Sequence, residues 1–401
     1  MEERVLKILV LNCGSSSVKY QLMDMETEKV LASGKFERIG EKESFNTHKV
    51  NGQKIQVEHY APDHAEAIDF ALKQFTNPEY KVIDSLDEIY AIGHRVVNGG
   101  ELIKESMVVT EQVEEDLKTT TPFAPLHNPA AILGIEACKK VMPGKPMVVV
   151  VDTAFHQTMP KENYIYPIPY KYYEEDGVRK YGAHGTSHMF VSRKVAELMG
   201  KDIKDLKIVT CHLGQGASIC AIKDGKCIDT SMGLTPLGGI PMVTRSGDLD
   251  PSVVLYIMKK HNLSPQEMED ILNKESGVMG ISGLDPDFRV IEQEIYNGNK
   301  SATVAINVFE SKIAEYIARY AAQMRGIDVI VFTGGIGENQ INVRKRILER
   351  LTFMGVDLDE EANNVKGEDR LISTKDSKVA AYIVPTDEEL MIARETLRLT
   401  K

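Results

Sequence analysis

The chain has 401 residues, a formal net charge of −11 and 42% hydrophobic residues. This length exceeds what one ordinary hydrophobic core holds, so it predicts two domains. The acidic balance makes nucleic acids and anionic membranes poor partners, although a local group of arginines could still bind an anionic substrate.

The beginning of the chain and its cysteines bear on the compartment. In MEERVLKILVLNC, charged residues precede an apolar run that is too short for a signal peptide or a membrane span. Five cysteines occur without a CxxC pair, which fits a reducing compartment. We therefore expect a cytoplasmic protein without a membrane or nucleic-acid partner.

The first predicted element is a strand over Lys7–Leu11, a short apolar run typical of strands buried on both faces. It ends in the loop NCGSSSVK, residues 12–19. Small residues there let backbone N–H groups approach an anion, hydroxyls add donors, and Lys19 adds positive charge. On composition alone, a plain serine-rich hairpin turn is the simpler explanation.

The same pattern recurs 200 residues later. KILVLNCGSSSVKYQLMD begins at Lys7 and KIVTCHLGQGASICAIKD begins at Lys207, and both predict a strand, a turn of small residues and a second strand. Similar hairpins can arise independently, but we favour an internal duplication that places one phosphate loop in each domain. No GxxxxGK[ST] occurs, so the protein is not a P-loop ATPase.

Two further predicted strands end in charged residues. The strand over Ile89–Ile92 runs into Arg95, which can bind an anion as a fork or form an ordinary surface salt bridge. The valine-rich strand over Met147–Val151 runs into Asp152. Ligands of α/β folds bind beyond the carboxyl ends of strands, so both side chains are candidates for function.

The segment HGTSH, residues 184–188, places two histidines four residues apart. A zinc pair would need a helix through both. Gly185 and a capping Ser187 predict instead a loop followed by a helix over His188–Met199. We therefore interpret His184 as a donor in a loop and His188 as structural.

Three motifs in the second half complete the set. Arg245 lies among small polar residues, as Arg95 does. The strand over Val329–Phe332 runs into a glycine turn against which a ring or ribose could lie, and since this turn is not GxGxxG, dehydrogenase chemistry is unsupported. Glu388, at the start of a predicted helix, is either a partner of the helix dipole or a ligand of Mg²⁺.

Together these motifs resemble the acetate kinases, within the larger class of sugar kinases, actin and heat-shock ATPases. The resemblance covers essentially the whole chain and rests on NCGSSSVKY, GHRVVNGG, TPFAPLHNP, DTAFHQTMP, HGTSH, HLGQGAS, DTSMGLTPLGG, TRSGDLDPS, FTGGIGEN and PTDEELMIARET. It implies an α/β fold of two duplicated ribonuclease H-like (actin-like ATPase) domains with a central cleft. We expect one domain over 1–151, completed by a helix over 390–401, a second over 152–389, and a homodimer.

The resemblance also implies roles for individual residues. Those implied for catalysis are Asp152, Arg95, His184 and Arg245. Those implied to hold the acid are Arg95, Val97, Leu126, Ala183 and Pro236. Those implied to hold ATP are Ser15, Ser17, Lys19, His212, Gly214, Gln215, Gly216, Asp287, Phe288, Arg289, Gly335, Ile336, Gly337 and Asn339. Mg²⁺, with Mn²⁺ as a substitute, would be held by Asn12 and Glu388.

The implied reaction is reversible phosphorylation of acetate by ATP, in one direct in-line transfer. A carboxylic acid is already ionised at pH 7 and needs no general base, so the obstacle is repulsion between two anions. Arginine, histidine and Mg²⁺ relieve it. The alternatives are a sugar kinase with Asp152 as base, and a nucleotide-binding protein without transfer, against which the retained charged residues argue.

Several positions depart from the pattern of the family. Ala183 stands where the family usually has Phe, and the smaller side chain would enlarge the acid pocket, so a propionate or butyrate kinase is the alternative. The other departures, which bear on the rate, are Gln215, Asn98, Gly238 and Val243.

Overall fold

The computed structural model of the protein describes residues 6–125, 127–285 and 287–401. Two compact units form, unit 1 up to Ala154 together with Asp387–Lys401, and unit 2 over Phe155–Thr386. These boundaries lie a few residues from those drawn on the sequence, and they place Asp152 and Glu388 in unit 1. No described helix is both long and apolar enough to cross a membrane.

The four strands with predicted ranges all form, and three of them, all but the strand over Met147–Val151, extend further than predicted into the adjoining motifs. The strands are β1 (Lys7–Gly14), β2 (Ser17–Asp24), β3 (Lys29–Glu37), β4 (Phe45–Val50), β5 (Gln53–Glu58), β6 (Ile89–Val96), β7 (Met107–Val108), β8 (Met147–Val151), β9 (Lys207–Leu213), β10 (Ala217–Lys223), β11 (Lys226–Thr230), β12 (Val329–Thr333), β13 (Arg370–Leu371) and β14 (Ala380–Ile383).

Helices fill the connections between these strands and cover the sheets. They are α1 (His64–Gln74), α2 (Glu111–Thr120), α3 (Asn128–Val141), α4 (Lys161–Tyr164), α5 (Lys171–Asp176), α6 (Gly185–Met199), α7 (Pro251–His261), α8 (Pro265–Lys274), α9 (Gly277–Ser282), α10 (Phe288–Tyr296), α11 (Lys300–Met324), α12 (Gly334–Asn339), α13 (Ile341–Glu349), α14 (Glu360–Asn363) and α15 (Glu388–Thr400).

Each unit contains one sheet, and six of the eight strands in the first sheet follow the same order as the six strands of the second. Among the described residues the order is β5-β4-β3-β2-β1-β6-β8-β7 in unit 1 and β11-β10-β9-β12-β14-β13 in unit 2. In both, an antiparallel hairpin (β1–β2 or β9–β10) is continued by parallel strands, β6 and β8 or β12 and β14. The repeat seen in the sequence therefore corresponds to two equivalent hairpins, and the predicted duplicated α/β fold is confirmed.

The central strands are apolar because both of their faces are covered. Every residue of β8 and of β12 is buried. In unit 1, the last helix, α15, covers one face with Ile392 and Ala393, which pack with Ile8 and Val148. At Gly93 an added Cβ would lie 2.6 Å from Ile392 Cγ2, so only glycine lets α15 pack this closely against β6.

One helix begins earlier than predicted. The expected start was His188 with Ser187 as its cap, but α6 begins at Gly185, and His184 precedes it in the left-handed region at φ 58°. His188 N donates to His184 O at 2.9 Å, which places both histidines on the first turn. Ser187 is therefore inside the helix, where its hydroxyl is free of the capping role and contacts other loops.

Candidate active site

Three charged side chains meet in unit 1 where parallel strands end. Arg95 is the penultimate residue of β6, and Asp152 directly follows β8. Arg95 donates from Nη2 and Nε to Asp152 Oδ2 at 2.7 and 3.2 Å, and its Nε lies 3.6 Å from Glu388 Oε2. We call this group the Arg95 cluster. Asp152 is 1% exposed, so one guanidinium is held by two carboxylates largely out of water.

The acidic members of the Arg95 cluster outnumber its one cation. Burial raises the pKa of Glu388 to about 7, Arg95 and Lys19 oppose that rise, and the charges of Asp152 and Glu389 add to it. The charge of Asp152 raises the pKa of Arg95, so the guanidinium stays protonated. The pKa of Glu388 thus lies well above that of an ordinary carboxyl, and an additional cation would favour its ionised form.

The first predicted phosphate loop is the turn of the β1–β2 hairpin. Asn12 and Lys19 are register partners across this hairpin. His64, on α1, donates from Nε2 to Gly14 O at 2.8 Å and so holds the turn in place. The predicted residues that are at least partly exposed in this hairpin are Asn12, Ser15, Ser17 and Lys19.

A cavity of about 240 Å³ opens beside this hairpin. It is lined by Asn12 and Lys19 and also by Lys35, Lys49 and Glu389. No sequence pattern indicated Lys35 and Lys49, because they stand on β3 and β4 without a motif around them. Three lysines around one cavity make this face of unit 1 attractive to an anion.

In unit 2, two histidines and an arginine surround the loop that follows β9. His184 Nδ1 hydrogen-bonds Ser218 Oγ at 2.8 Å, and its ring stacks on that of His212 with centroids 4.2 Å apart. A Cβ added at Gly216 would lie 3.4 Å from Arg245 Nη1 and 3.5 Å from His184 Cε1. Because residue 216 has no side chain, the loop backbone comes close to both donors.

Arg245 is neutralised less than Arg95. Its Nη1 donates to Pro236 O at 3.2 Å and contacts Met242 Sδ at 3.7 Å. Burial lowers its pKa, and within the described part of the chain no acidic side chain pairs with it. A partly buried guanidinium without an acidic partner favours an incoming anion.

The loop after β9 is closed by its own backbone and joined to the Arg245 segment. Gly214 N donates to Gly216 O at 3.1 Å, and Val243 N donates to Gln215 O at 3.3 Å. Two of the departures from the family pattern, Gln215 and Val243, therefore touch each other. In unit 1 the departure Asn98 is buried, and its Oδ1 accepts from Gly100 N at 2.8 Å.

Hydrogen bonds also connect loops of unit 2 that are far apart in the sequence. Ser187 Oγ bonds His212 Nδ1 at 2.8 Å and receives a hydrogen bond from Thr386 Oγ1 at 2.8 Å. Glu338 Oε1 accepts from Thr386 N at 3.2 Å and from Gly334 N at 2.8 Å. The sequence predicted only a capping role for Ser187 and no role for Glu338 or Thr386, because their partners lie in other motifs.

The residues predicted to hold adenosine lie at two helix starts. At the first, Asp287 caps α10 and forms an ion pair with Arg289 at 2.5 Å. The intervening Phe288 is buried, and its ring lies against Phe309 with centroids 5.3 Å apart. The side chain of Phe288 therefore belongs to the core, whereas the ion pair is at the surface.

At the second, the glycine turn after β12 forms the short helix α12. An added Cβ at Gly335 would have no neighbour within 4 Å, so this side of the turn is open. Asn339 Nδ2 donates to Gly335 O at 2.9 Å, while Ile336 and Gly337 are buried. The open side of α12 can thus receive a flat group without rearrangement.

A buried arginine that no sequence motif predicted supports α12. Arg344 is fully buried and donates to Gly337 O at 3.0 Å, to Asn363 Oδ1 at 2.8 Å and to Val365 O at 2.9 Å. All its acceptors are neutral, and burial lowers its pKa to about 10. Arg344 lies within a helix, and nothing in the surrounding sequence indicates that its side chain is buried.

The residues predicted for the acid pocket do not form a group within either unit. Val97 follows β6 in unit 1, whereas Pro236 and Ala183 lie in unit 2. Ala183 is buried in the hydrophobic cluster that includes Leu213 and Ala217. Leu126 lies outside the described residues.

Comparisons with known proteins cover nearly the whole chain. The sequence profile of the Acetokinase family matches residues 7–394. A curated acetate kinase from Clostridium novyi is 53% identical, over 99% of each chain. The crystal structure of an acetate kinase from Porphyromonas gingivalis superposes with a TM-score of 0.96 at 45% identity, covering 99% of this chain and 100% of that one. That of a propionate kinase from Francisella tularensis gives 0.91 at 42% identity, covering 98% and 100%.

Proposed function

The chain belongs to the acetokinase family, and from this membership we propose that it phosphorylates acetate with ATP, reversibly, forming acetyl phosphate and ADP. The Arg95 cluster carries the proposal. It presents a guanidinium at the carboxyl end of a strand, oriented by Asp152 and ready to hold an anionic substrate. The relatives named acetate kinase support acetate as that substrate.

The chemistry requires attraction more than proton transfer. An acetate oxygen attacks the γ-phosphorus, the bond from that phosphorus to the ADP oxygen breaks, and no proton leaves the nucleophile. We assign Arg95, Arg245 and His184 the role of offsetting the charge of the two anions. We assign Asp152 the orientation of Arg95, since it accepts two hydrogen bonds from that guanidinium.

A divalent cation fits the residues of unit 1. Burial and the charge of Asp152 raise the pKa of Glu388, and a cation beside it would favour its ionised form. We propose that Glu388 and Asn12 hold Mg²⁺, or Mn²⁺ in its place, since hard cations of this kind take oxygen ligands. When bound, the ion offsets phosphate charge.

The nucleotide contacts are assigned to loops that the structure leaves accessible. We propose that the phosphates meet the hairpin turn of Ser15 to Lys19 and the loop of His212 to Gly216. The adenosine would lie near Arg289 and the open side of Gly335. The side chain of Phe288 takes no part, because it is buried.

Trapping the acyl phosphate with hydroxylamine tests the function directly. Purified protein with ATP and Mg²⁺ should convert acetate to the hydroxamate, and acetyl phosphate with ADP should yield ATP. Glucose in place of acetate should give no turnover above the slow hydrolysis of ATP. If no short carboxylic acid forms a hydroxamate, the chain binds nucleotide without transferring phosphate and the proposal is wrong.

The alternative of a propionate or butyrate kinase gains nothing from the structure. It rests on Ala183, whose small side chain is enclosed by the core of unit 2. Acetate therefore remains the proposed preferred acid. In a panel of acetate, propionate and butyrate, kcat/KM should be highest for acetate, and a maximum at propionate or butyrate would reverse the assignment.

We also propose a homodimer in a reducing compartment, the cytoplasm. None of the residues of α7 is buried within the described chain, although Val253, Leu255 and Tyr256 are apolar. Beside α7 lies a groove of about 780 Å³. Large exposed apolar surfaces favour association, and a second copy would cover this one. The five cysteines are buried and unpaired, as expected under reducing conditions.

A further inference from the structure

A compact group of potential metal ligands lies in unit 2 and has no part in the proposed transfer. His156 lies in a 3₁₀ turn, Cys220 on β10 and Cys227 on β11. All three side chains are 0% exposed. His156 Nδ1 lies 3.2 Å from Cys227 Sγ and 4.0 Å from Cys220 Sγ, and the two sulfurs are 3.4 Å apart.

These separations suit one tetrahedral ion. Zinc bonds of about 2.3 Å to sulfur and 2.0–2.1 Å to nitrogen imply ligand atoms about 3.5–3.8 Å apart. The three measured separations lie on both sides of that range, so shifts of about half an ångström or less would bring all three atoms into coordination. Among the described residues, His156, Cys220 and Cys227 are the three potential metal ligands whose ligand atoms all lie within 4.8 Å of one another.

The imidazole is already in the tautomer that a metal requires. His156 Nε2 lies 2.9 Å from Ala183 O, and since a carbonyl only accepts, Nε2 carries the proton. Nδ1 therefore directs its lone pair towards the sulfurs. Metal-binding histidines commonly donate their second N–H to a backbone carbonyl in this way. An added Cβ at Gly182 would lie 2.8 Å from His156 Cδ2, so the ring is also held tightly in place.

The charges of the group suit a divalent cation. Two thiolates would neutralise a divalent ion, so that the filled site would bury no net charge.

We propose that His156, Cys220 and Cys227 bind one thiophilic divalent cation of the zinc type, separate from the Mg²⁺ of phosphoryl transfer. The ion would join β10 and β11 to the turn of His156. Through His156 Nε2 it would also support the carbonyl of Ala183, the residue before His184. We assign the ion a structural role, because all three ligands are 0% exposed.

Cobalt is the probe that tests this site, since Co²⁺ bound by thiolates shows a sulfur-to-metal charge-transfer band that oxygen and imidazole ligands do not produce. The full chain is expressed in medium supplemented with Co²⁺, so that the ion is present while the buried site forms. After dialysis, we expect one Co²⁺ per chain and this band. Cys220→Ser and Cys227→Ser should each weaken it, and the double substitution should abolish it.

Two matched controls separate this site from others. Cys138→Ser removes a buried thiol outside the group and should leave the band intact. Zinc should raise the thermal midpoint of the wild type, depleted of metal beforehand, and not that of the double variant. A wild-type protein without the band, a band that persists in the double variant, or a Cys220–Cys227 disulfide in place of bound metal would overturn the proposal. None of these outcomes depends on kinase activity.

Discussion

At the scale of single residues, the two arginines of the proposed reaction differ in how far their neighbours neutralise them. Arg95 is held by Asp152 and Glu388, whereas Arg245 contacts a carbonyl and a sulfur. A guanidinium between two carboxylates is well oriented, but it must give up part of its interaction with them when it binds an anionic ligand. One without an acidic partner is more strongly attracted to phosphate. We therefore expect Arg95 to contribute position and Arg245 to contribute charge.

Replacing Arg95 tests this assignment. Arg95→Ala should lower kcat/KM for acetate by about 10²–10³-fold, the usual loss when one donor to the transition state is removed. Arg95→Lys should recover only part of that loss, because an ammonium cannot form the fork with Asp152. The matched control is Arg370→Ala, whose side chain is 47% exposed and pairs with Glu368 in a surface segment. Steady-state kinetics that leave Arg95→Ala at wild-type activity would contradict the proposal.

Glu388 predicts a pH dependence of stability. Its pKa is raised from 4.5 to about 7, so between these values the folded protein holds a proton that the unfolded chain releases. The contribution of Glu388 to stability is therefore present at low pH and lost as the pH rises through about 7. Glu388→Gln removes this contribution. The free energy of unfolding, measured with urea in the absence of metal, should change with pH between 4.5 and about 7. Over this range it should fall less, or rise more, in the variant than in the wild type. Parallel curves for the two proteins would refute the assignment.

At the scale of elements, neighbouring glycines in the β12–α12 turn have different tasks. Gly334 adopts φ +76°, and an added Cβ would lie 2.8 Å from Leu213 O, whereas Gly335 faces open space. Gly334→Ala should destabilise the protein by at least about 1 kcal/mol, because the left-handed conformation strains any side chain. Gly335→Ala should leave unfolding unchanged but raise KM for ATP if nucleotide occupies that space. The denaturant midpoint and the KM for ATP should be measured for both variants. If the two substitutions changed both quantities equally, the two glycines would not have different tasks.

The turns of the two duplicated hairpins are held in place by different side chains. Each sheet begins with two strands joined by a tight turn, Gly14 to Ser17 in unit 1 and Leu213 to Ala217 in unit 2. The second turn is supported from outside by Ser187, which bonds His212. The first is supported by His64, which bonds Gly14. Equivalent loops thus keep their shape through unrelated supporting side chains.

At the scale of the whole molecule, the exposed apolar residues of α7 predict a dimer. Tyr256→Glu together with Leu255→Glu should convert the protein to a monomer, because two buried charges without partners would oppose association. The control is Tyr296→Glu, since Tyr296 is 88% exposed on α10 and removed from α7 in the chain. Light scattering after gel filtration gives the mass. A wild-type monomer, or a dimer that survives the double substitution, would exclude α7 from the interface.

Sequence patterns predicted much of the site because its residues lie where local patterns end. Arg95 and Asp152 follow apolar runs, and the runs form neighbouring parallel strands whose carboxyl ends share an edge. The start of α6 was misplaced at Ser187, since a serine before an apolar stripe has the same pattern whether it caps a helix or lies in its first turn. Arg344 and Lys49 carried no signal, because a single charged residue in a helix or strand is usually exposed.

The sequence by itself determined the fold class, the duplicated hairpins and the family, because alternation of apolar and polar residues and runs of glycine and serine act over a few neighbouring positions. Tertiary structure alone decided which distant side chains meet. Glu388 joins Arg95 from the far end of the chain because α15 packs against β6 at Gly93. Cys220, Cys227 and His156 converge because strand pairing and burial bring them together. Such contacts depend on the packing of whole elements, and no local pattern encodes them.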